Sequence, residues 1–184
     1  MSNIIKNVNN YDEFKKVFTV FRGEPFFENW TEDQLRYEFD YLKKDGEIYG
    51  YYLDNLDMVG LVSIIYGAIK DHPIIFKNPE KTIYLSDIAV INSERGNGYA
   101  KKLADFIINY VKGFNNYNEM YMRTNLEGSM SERIFLNRGF EIIRDENNNI
   151  ITQDVTFERT DGSIKKDTRK FLSKRLVRWV NLKY

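Results

Sequence analysis

A short glycine-rich stretch, Arg95-Gly96-Asn97-Gly98-Tyr99-Ala100, is the part of the chain whose residue types best suit chemistry. It follows the apolar run Ile83 to Val90, which predicts a strand, and it opens the run Tyr99 to Phe114, which predicts a helix. Glycine lets the backbone turn sharply and approach a ligand closely. Backbone N–H groups converge at such a turn, and the helix start adds a partial positive charge. The stretch therefore predicts a site for a phosphate or a diphosphate.

Two common phosphate-binding designs do not match this stretch. A P-loop needs the pattern G-x-x-x-x-G-K-[ST], which the chain lacks. A dinucleotide-binding fold needs a third small residue, followed by an acidic residue near the end of the next strand. Here Lys101 stands at the third position, and the next predicted strand ends at Arg123-Thr124. The pattern that remains is R-x-x-G-x-A, formed by Arg95, Gly98 and Ala100.

In this pattern and the residues around it, the chain resembles the GNAT acetyltransferase superfamily. The family signature is [QR]-x-x-G-x-[GA] after a strand that ends in an apolar-x-Val step, here Ile88-Ala89-Val90. A second match is Ile134 to Phe140, which resembles a short family helix with a Tyr-x-x-x-Gly-Phe step, but Phe135 occupies the tyrosine position. Phe171 to Leu176 resembles the closing strand. Together the matches cover roughly the second half of the chain.

The resemblance implies an α+β fold, with a central mixed and mostly antiparallel sheet of about seven strands flanked by about four helices. In the family the fourth and fifth strands splay apart, and here they would be Ile83–Val90 and Glu119–Thr124. A chain of 184 residues suits a single domain, which we expect to span residues 1–184. The segment 146–168 is then an expected insertion between the two closing strands.

The local patterns agree with this order of elements, except at the C-terminal end. Thr31-Glu32-Asp33-Gln34 and Ser129-x-x-Glu132 are capping-box patterns that predict helix starts. The last twenty residues allow either a strand at Arg169 to Leu176 or a basic amphipathic helix. We favour the strand, because the resemblance places one there.

The resemblance implies acetyl-CoA as the co-substrate. Its diphosphate is expected on the backbone N–H groups of Gly96, Asn97, Gly98, Tyr99, Ala100 and Lys101. The amide groups of its pantetheine arm are expected to pair with the strand edge formed by Ile88, Ala89 and Val90, as an added strand would. Arg95 either adds positive charge at the diphosphate or is a solvated turn residue.

In the implied reaction an amine attacks the thioester directly, so the protein must align the reactants and stabilise the oxyanion. The backbone N–H of Val90 or Ile91 is the candidate oxyanion donor. A base must also remove a proton from the amine, which is protonated at neutral pH. Asp87 and Tyr84 on the strand are the candidate bases.

The acceptor is expected to contact the segment before the second helix. Its candidate binding residues are Glu24, Phe27, Glu28 and Trp30, and the two glutamates are also candidate bases. The aromatic residues of this segment also suit ordinary packing, which is the commoner role of such a cluster. No pattern in the sequence identifies the acceptor amine.

The acid that protonates the leaving thiolate is missing from its family position, because Phe135 cannot donate a proton. A thiol is a fair leaving group with a pKa of about 8.5, so it needs little assistance. Ser129 and Ser131 are the hydroxyls that can hydrogen-bond the sulfur, although Ser129 also suits a helix cap. His72, the only histidine, lies in a proline loop, and no His, Cys or carboxylate cluster has metal-ligand spacing.

The bulk composition excludes several classes of protein. The formal net charge is zero, so no global charge draws the chain to nucleic acid or membrane. There is no cysteine, no signal-peptide core and no run of about 18 apolar residues. A cytoplasmic protein without a metal, acting as a monomer or homodimer, is the simplest expectation.

Three functions follow from these observations. The first is an acetyl-CoA-dependent N-acetyltransferase that acts on a small amine or a peptide amine. The second is an acyl-CoA-binding sensor of the same fold without catalysis, which Phe135 keeps open. The third is an interaction module that uses the basic segment from Arg159 to Lys183, where nine basic and two acidic residues occur.

Overall fold

A computed structural model describes residues 4–21, 31–54, 57–158 and 163–176 of the chain. These residues form four α-helices and eight strands, in agreement with the α+β class and with one strand more than expected. In chain order the elements are β1 (Ile4–Asn7), α1 (Tyr11–Phe21), α2 (Glu32–Asp45), β2 (Gly46–Tyr52), β3 (Met58–Tyr66), β4 (Thr82–Val90), α3 (Tyr99–Lys112), β5 (Glu119–Asn125), α4 (Met130–Leu136), β6 (Glu141–Ile142), β7 (Thr152–Glu158) and β8 (Ile164–Arg175).

The described strands form one open sheet with the order β1-β2-β3-β4-β5-β8-β6, and β7 also pairs with β8. Every pairing is antiparallel except that of β4 with β5, which is parallel. A parallel pair needs a crossover connection, which α3 supplies here. The start of α3 therefore follows the C-terminal end of β4 at one end of the sheet.

The two faces of the sheet carry separate hydrophobic cores. Helices α1 and α2 cover one face, called the α1/α2 face, and α3 and α4 cover the other, called the α3/α4 face. The buried residues of α3 recur at three- and four-residue spacing and are Leu103, Ala104, Ile107, Ile108 and Val111. Burying one Leu or Ile side chain of this kind stabilises the fold by about 1.5–3 kcal/mol.

Two helices begin at the capping residues that the sequence predicts. At the start of α2, Thr31 Oγ1 accepts a hydrogen bond from Gln34 N at 3.2 Å, and Gln34 Oε1 accepts one from Thr31 N at 2.8 Å. At the start of α4, Ser129 Oγ accepts a hydrogen bond from Glu132 N at 3.1 Å. Each cap satisfies a backbone donor that the helix itself leaves without a partner.

The ladder between β4 and β5 stops after four residue pairs. It joins Thr82–Leu85 to Glu119–Met122 and goes no further. Beyond it, β4 stays paired with β3 and β5 stays paired with β8 to their C-terminal ends. The predicted splay between the fourth and fifth strands is therefore confirmed. The gap between residues 86–90 of β4 and 123–125 of β5 is called the opening below.

A β-bulge in β4 lies where the opening begins. The register of the pairing with β3 shifts between Leu85 and Asp87, so Ser86 is the extra residue. Side chains alternate between the two faces of a strand, and a bulge changes that alternation by one step. Strict alternation would place Tyr84 and Asp87 on opposite faces, but the bulge brings both to the α1/α2 face.

Strand β8 is long because it has different partners along its length. Its N-terminal part pairs with β7, and its C-terminal part pairs with β5 and with the short β6. The prediction of a strand rather than a basic helix near the C-terminus is confirmed for residues 169–175. The segment 146–168 contributes β7 and the start of β8, and its status as an insertion stays a prediction.

A buried ion pair links α4 to β8. Lys170 Nζ lies 2.9 Å from Glu132 Oε1, and the two side chains are 9% and 8% exposed. The second carboxylate oxygen of Glu132 has no hydrogen-bond partner among the residues that the structure describes. Removing two charges from water costs several kcal/mol each, and their attraction offsets that cost only while both are present.

Removing one partner of this pair is therefore expected to destabilise the fold. Glu132→Leu or Lys170→Met alone should lower the free energy of unfolding by about 3–5 kcal/mol, because the remaining charge is buried without a counter-ion. The double variant should lose much less, because both buried charges are gone. Denaturant unfolding of the three variants measures these effects, and a double variant whose loss equals the sum of the single losses would contradict this account.

Candidate functional site

Two glycines in the left-handed region shape the turn between β4 and α3. Gly96 has a φ of 86° and Gly98 a φ of 78°, values that residues with a Cβ rarely adopt. Gly98 is also the N-cap of α3 and offers no side-chain cap. A Cβ built on either glycine would meet no atom within 4 Å, so the space beside the turn is open.

The backbone N–H groups of residues 96–101 lie at this turn and have no partner among the described residues. They donate no hydrogen bond to any other residue in the described part of the chain, and the first helical bond runs from Lys102 N to Gly98 O at 3.1 Å. Unpaired N–H groups at a helix start, together with the helix dipole, attract anions. The donors therefore fit a phosphate or a diphosphate.

The side chains of the turn brace its backbone. Arg95 Nε donates to the backbone carbonyl of Val90 at 3.1 Å, which ties the turn to the end of β4. Asn97 Nδ2 donates to the backbone carbonyl of Glu94 at 3.3 Å and to its carboxylate at 3.2 Å. This contact was not part of either predicted role of Arg95, which were to add positive charge at the diphosphate or to be a solvated turn residue.

One edge of β4 faces the opening with backbone N–H groups that have no partner in the described part of the chain. The N–H of Ile91 donates to the carbonyl of Val59 on β3 at 2.9 Å, which removes Ile91 as a candidate oxyanion donor. Because successive residues of a strand point their N–H groups to opposite sides, the N–H groups of Ile88 and Val90 point into the opening. Of the two predicted donors, only Val90 has the required direction.

Two carboxylates lie close enough to interact electrostatically on the α1/α2 face beside the opening. Asp87 Oδ2 accepts a hydrogen bond from Ser63 Oγ at 2.8 Å. Burial raises the pKa of Asp87, although hydrogen bonds from Ser63 and Ser86 and the charge of Arg123 act in the other direction. Burial and the charge of Asp87 raise the pKa of Glu38 on α2 to about 8. A base is most effective when its pKa lies near the working pH, so the raised pKa values make this pair a candidate proton acceptor.

Sequence reasoning missed Glu38, although a signal was present. Leu35, Phe39 and Leu42 form the buried stripe of α2, at positions i, i+4 and i+7. Glu38 occupies position i+3 of the same stripe, so its carboxylate is directed toward the sheet rather than to solvent. A charged residue on a buried helical stripe indicates either a paired charge or a functional one.

An aromatic cluster lies on the same face around His72. The ring of His72 lies 4.9 Å from that of Tyr84 and 5.1 Å from that of Phe171, and His72 Nδ1 lies 3.2 Å from Tyr121 Oη. Burial lowers the pKa of His72 to about 4, so the imidazole is neutral at neutral pH. Burial raises the pKa of Tyr84 above its usual value, so its hydroxyl stays protonated and is a poor base.

The opposite side of the opening carries a cation. Arg123 lies on β5, one residue beyond the last pair with β4, and its side chain is half-buried. Its Nη1 donates to Gln153 Oε1 at 2.8 Å, and Gln153 Nε2 donates to the backbone carbonyl of Asp71 at 3.0 Å. Sequence reasoning used Arg123 only to exclude a dinucleotide fold and did not place it in the site.

Phe135 is a core residue in this structure. Its side chain is 0% exposed, and its ring packs edge-on against Phe140 at 5.1 Å. The hydroxyls near it form a chain in which Ser129 Oγ lies 2.8 Å from Thr124 Oγ1 and 2.7 Å from Ser131 Oγ. Ser129 thus acts as the cap of α4 and also as the middle of this chain.

Several predicted features cannot be located or are not found. Glu24, Phe27, Glu28 and Trp30 lie outside the described residues. Within the described ranges, no group of three or more His, Cys, Asp or Glu residues could hold a metal ion. None of the described helices is both long and apolar enough to cross a membrane.

The raised pKa of Glu38 predicts a pH-dependent effect on stability. Protonated Glu38 favours the folded state at low pH, and this contribution is lost as the pH rises through about 8. Glu38→Gln keeps a neutral side chain at every pH, so the variant should match the wild type near pH 5 and melt at a higher temperature near pH 9. Thermal unfolding at both values measures this. Asp40→Asn, an exposed site on the same helix, is the control, and equal shifts at both pH values for Glu38→Gln would contradict the carboxylate pair.

Three solved structures illustrate what this fold is similar to. An N-acetyltransferase from Staphylococcus aureus Mu50 matches with a TM-score of 0.70 and 15% identity, over 96% of this chain and 100% of its own. The ribosomal-protein-S18-alanine N-acetyltransferase from Escherichia coli matches with 0.68 and 11%, over 100% of both chains. Arabidopsis thaliana NAA60, solved in complex with acetyl-CoA, matches with 0.70 and 12%, over 95% of this chain and 98% of its own.

Sequence comparison identifies the family. No curated protein matches the chain's sequence significantly. The profile described as Acetyltransferase (GNAT) family matches residues 14–140, which is more than half of the chain. That segment contains the glycine turn, the splayed strands and α4. The chain therefore belongs to the GNAT acetyltransferase family.

Proposed function

We propose that the protein transfers an acetyl group from acetyl-CoA to a primary amine of a small molecule or a peptide, by direct attack while both substrates are bound. One observation carries this proposal: the N–H groups of residues 96–101, which have no partner among the described residues, lie next to a strand edge whose N–H groups at Ile88 and Val90 point into the opening. An anion and an amide-containing arm of one ligand fit this arrangement.

The residues of the turn and of β4 would hold the co-substrate. The N–H groups from Gly96 to Lys101 would bind its diphosphate, and the edge of β4 from Ile88 to Val90 would pair with its amide groups, as an added strand does. Arabidopsis NAA60, which has a similar fold, was solved in complex with acetyl-CoA, and this supports the assignment of the co-substrate. The thioester would then lie in the opening.

Three groups of this chain would serve the transfer. The backbone N–H of Val90 would donate to the carbonyl oxygen of the thioester as negative charge develops on it. The carboxylate pair of Asp87 and Glu38 would take the proton from the attacking amine, either directly or through a water. As the carbon–nitrogen bond forms, the carbon–sulfur bond breaks and its electron pair stays on the thiolate, which needs no acid to leave.

A protein that binds acetyl-CoA without catalysis is the second candidate function. The observation that favours it is Phe135, which is fully buried and has no proton to donate. The interaction-module hypothesis has less support within the described residues, because several basic side chains of the C-terminal segment have internal partners. Lys170 pairs with Glu132, and Lys174 Nζ donates to the backbone carbonyl of Arg138 at 2.6 Å.

A bulky residue at Gly98 should block the diphosphate site. Gly98→Trp fills the open space beside the free N–H groups, so we expect its affinity for acetyl-CoA to fall at least about tenfold. Gly98→Asn is the matched control, because Asn tolerates a positive φ and is much smaller than Trp. Titration calorimetry with circular dichroism as a folding check measures both variants, and an unchanged affinity in a folded Gly98→Trp protein would refute the assignment.

Loss of the carboxylate at Asp87 should affect the chemistry more than the binding. Asp87→Asn should lower kcat by about 10²–10⁴-fold, the usual contribution of general acid–base catalysis, while affinity for acetyl-CoA stays near that of the wild type. The acidic limb of the pH–rate profile should also disappear. A variant that keeps this limb and most of its rate would show that Asp87 is not the base.

A further inference from the structure

Charges of opposite sign face each other across the opening on the α1/α2 face. Asp87 on β4 and Glu38 on α2 form the acidic side. Arg123 on β5 forms the basic side, one residue beyond the last β4–β5 pair. The β4 bulge and the alternation of β5 bring these side chains to one face, which is also the face of Tyr121. A ligand in the opening therefore meets a carboxylate pair at one end and a guanidinium at the other.

Arg123 differs from two other half-buried arginines, Arg169 on β8 and Arg138 after α4. Arg169 lies 3.0 Å from Asp167 and Arg138 lies 2.7 Å from Asp105, so each has a carboxylate partner. Within the described ranges Arg123 has no carboxylate at ion-pair distance, and its one hydrogen bond goes to the neutral amide of Gln153. A guanidinium carries five N–H donors, so most of its donors remain available.

A half-buried cation without a counter-ion lowers the stability of the fold, so its presence at this position points to a function. Partial burial removes part of its hydration, and no carboxylate among the residues that the structure describes lies at ion-pair distance to replace it. Gln153 holds the guanidinium in place, because its own amide is anchored to the backbone of Asp71. A planar guanidinium that is held in position in this way can bind a carboxylate through two parallel hydrogen bonds.

We propose that the preferred acceptor is an amino acid or a related amine that carries a carboxylate a few bonds from its amino group. Arg123 binds the carboxylate of the acceptor and thereby directs the amine toward Asp87 and Glu38. This inference rests on the proposed function and narrows its acceptor class. It also disfavours the N-terminal amine of a peptide, because that amine has no free carboxylate nearby.

Matched acceptors test this inference directly. The acceptors are the common amino acids, the amides of the same amino acids, and the amines that lack the carboxyl group. The wild type should acetylate the best amino acid with a kcat/KM about 10- to 100-fold above its amide and its decarboxylated amine, the range expected for a hydrogen-bonded charge. Equal rates for all three would overturn the inference and leave the acetyltransferase proposal intact.

Variants of Arg123 separate recognition from folding. Arg123→Gln should remove the preference for the amino acid over its amide and its decarboxylated amine, and Arg123→Lys should keep part of that preference. Arg144→Gln removes the same charge from an exposed turn, where Arg144 donates to the carbonyl of Asn148 at 2.9 Å, and should leave the preference unchanged. A uniform loss for Arg123→Gln across all acceptors would indicate a structural role and overturn the inference.

A binding experiment decides the question if no acceptor is acetylated. Amino acids and their amides are titrated into the protein saturated with CoA and into the protein alone. Tighter binding of amino acids that Arg123→Gln abolishes would support the inference even without turnover. Equal binding of both classes, or no binding of either, would overturn it. If acetyl-CoA itself does not bind, the proposed function fails as well, and that outcome is seen before any acceptor is added.

Discussion

The site depends on the early end of the ladder between β4 and β5. A sheet normally satisfies the backbone groups of neighbouring strands along their whole length. Here β4 and β5 pair over four residues, and each then follows its outer neighbour instead. The inner edge of β4 is left with the N–H groups of Ile88 and Val90 unpaired among the described residues, while Arg95 binds the carbonyl of Val90. Because β4 runs directly into the glycine turn, the free N–H groups of residues 96–101 continue that edge.

The bulge at Ser86 gives the opening its chemical asymmetry. Without the extra residue, Asp87 would lie on the α3/α4 face, away from Glu38 and Tyr84. With it, one face of the opening gathers the carboxylate pair, the aromatic cluster around His72 and the guanidinium of Arg123. Keeping carboxylates in a partly dehydrated position costs stability, and such positions are typical of sites that exchange protons. The other face holds α3, α4 and the buried ion pair that anchors α4.

The parts of the site that local sequence determines were predictable. Gly98 and the amphipathic run after it predict a helix start with free N–H groups, because glycine and helical periodicity act over a few residues. The splay was predicted from the resemblance alone, because no local pattern shows at which residue β4 stops pairing with β5. The final strand was also placed by resemblance, because the spacing of Leu172 and Leu176 fits both a helix and a strand.

The parts that depend on three-dimensional placement were not predictable. The bulge that brings Asp87 to the face of Tyr84 has no glycine or proline to mark it. Ile91 was a plausible oxyanion donor until the structure showed its N–H bound to Val59. Glu38 and Arg123 are far apart in sequence, and only the packing of α2 on the sheet and the alternation of β5 bring both to the opening.

Residue-resolved amide hydrogen exchange with and without acetyl-CoA tests the central claim most directly. The N–H groups of Ile88, Val90 and residues 96–101 should exchange quickly in the free protein and become protected when acetyl-CoA binds. The N–H groups of Ala89 and Ile91, which point to β3, should be protected in both states. Binding of acetyl-CoA that leaves the exchange of Ile88, Val90 and residues 96–101 unchanged, or the absence of binding, would contradict this account of the site.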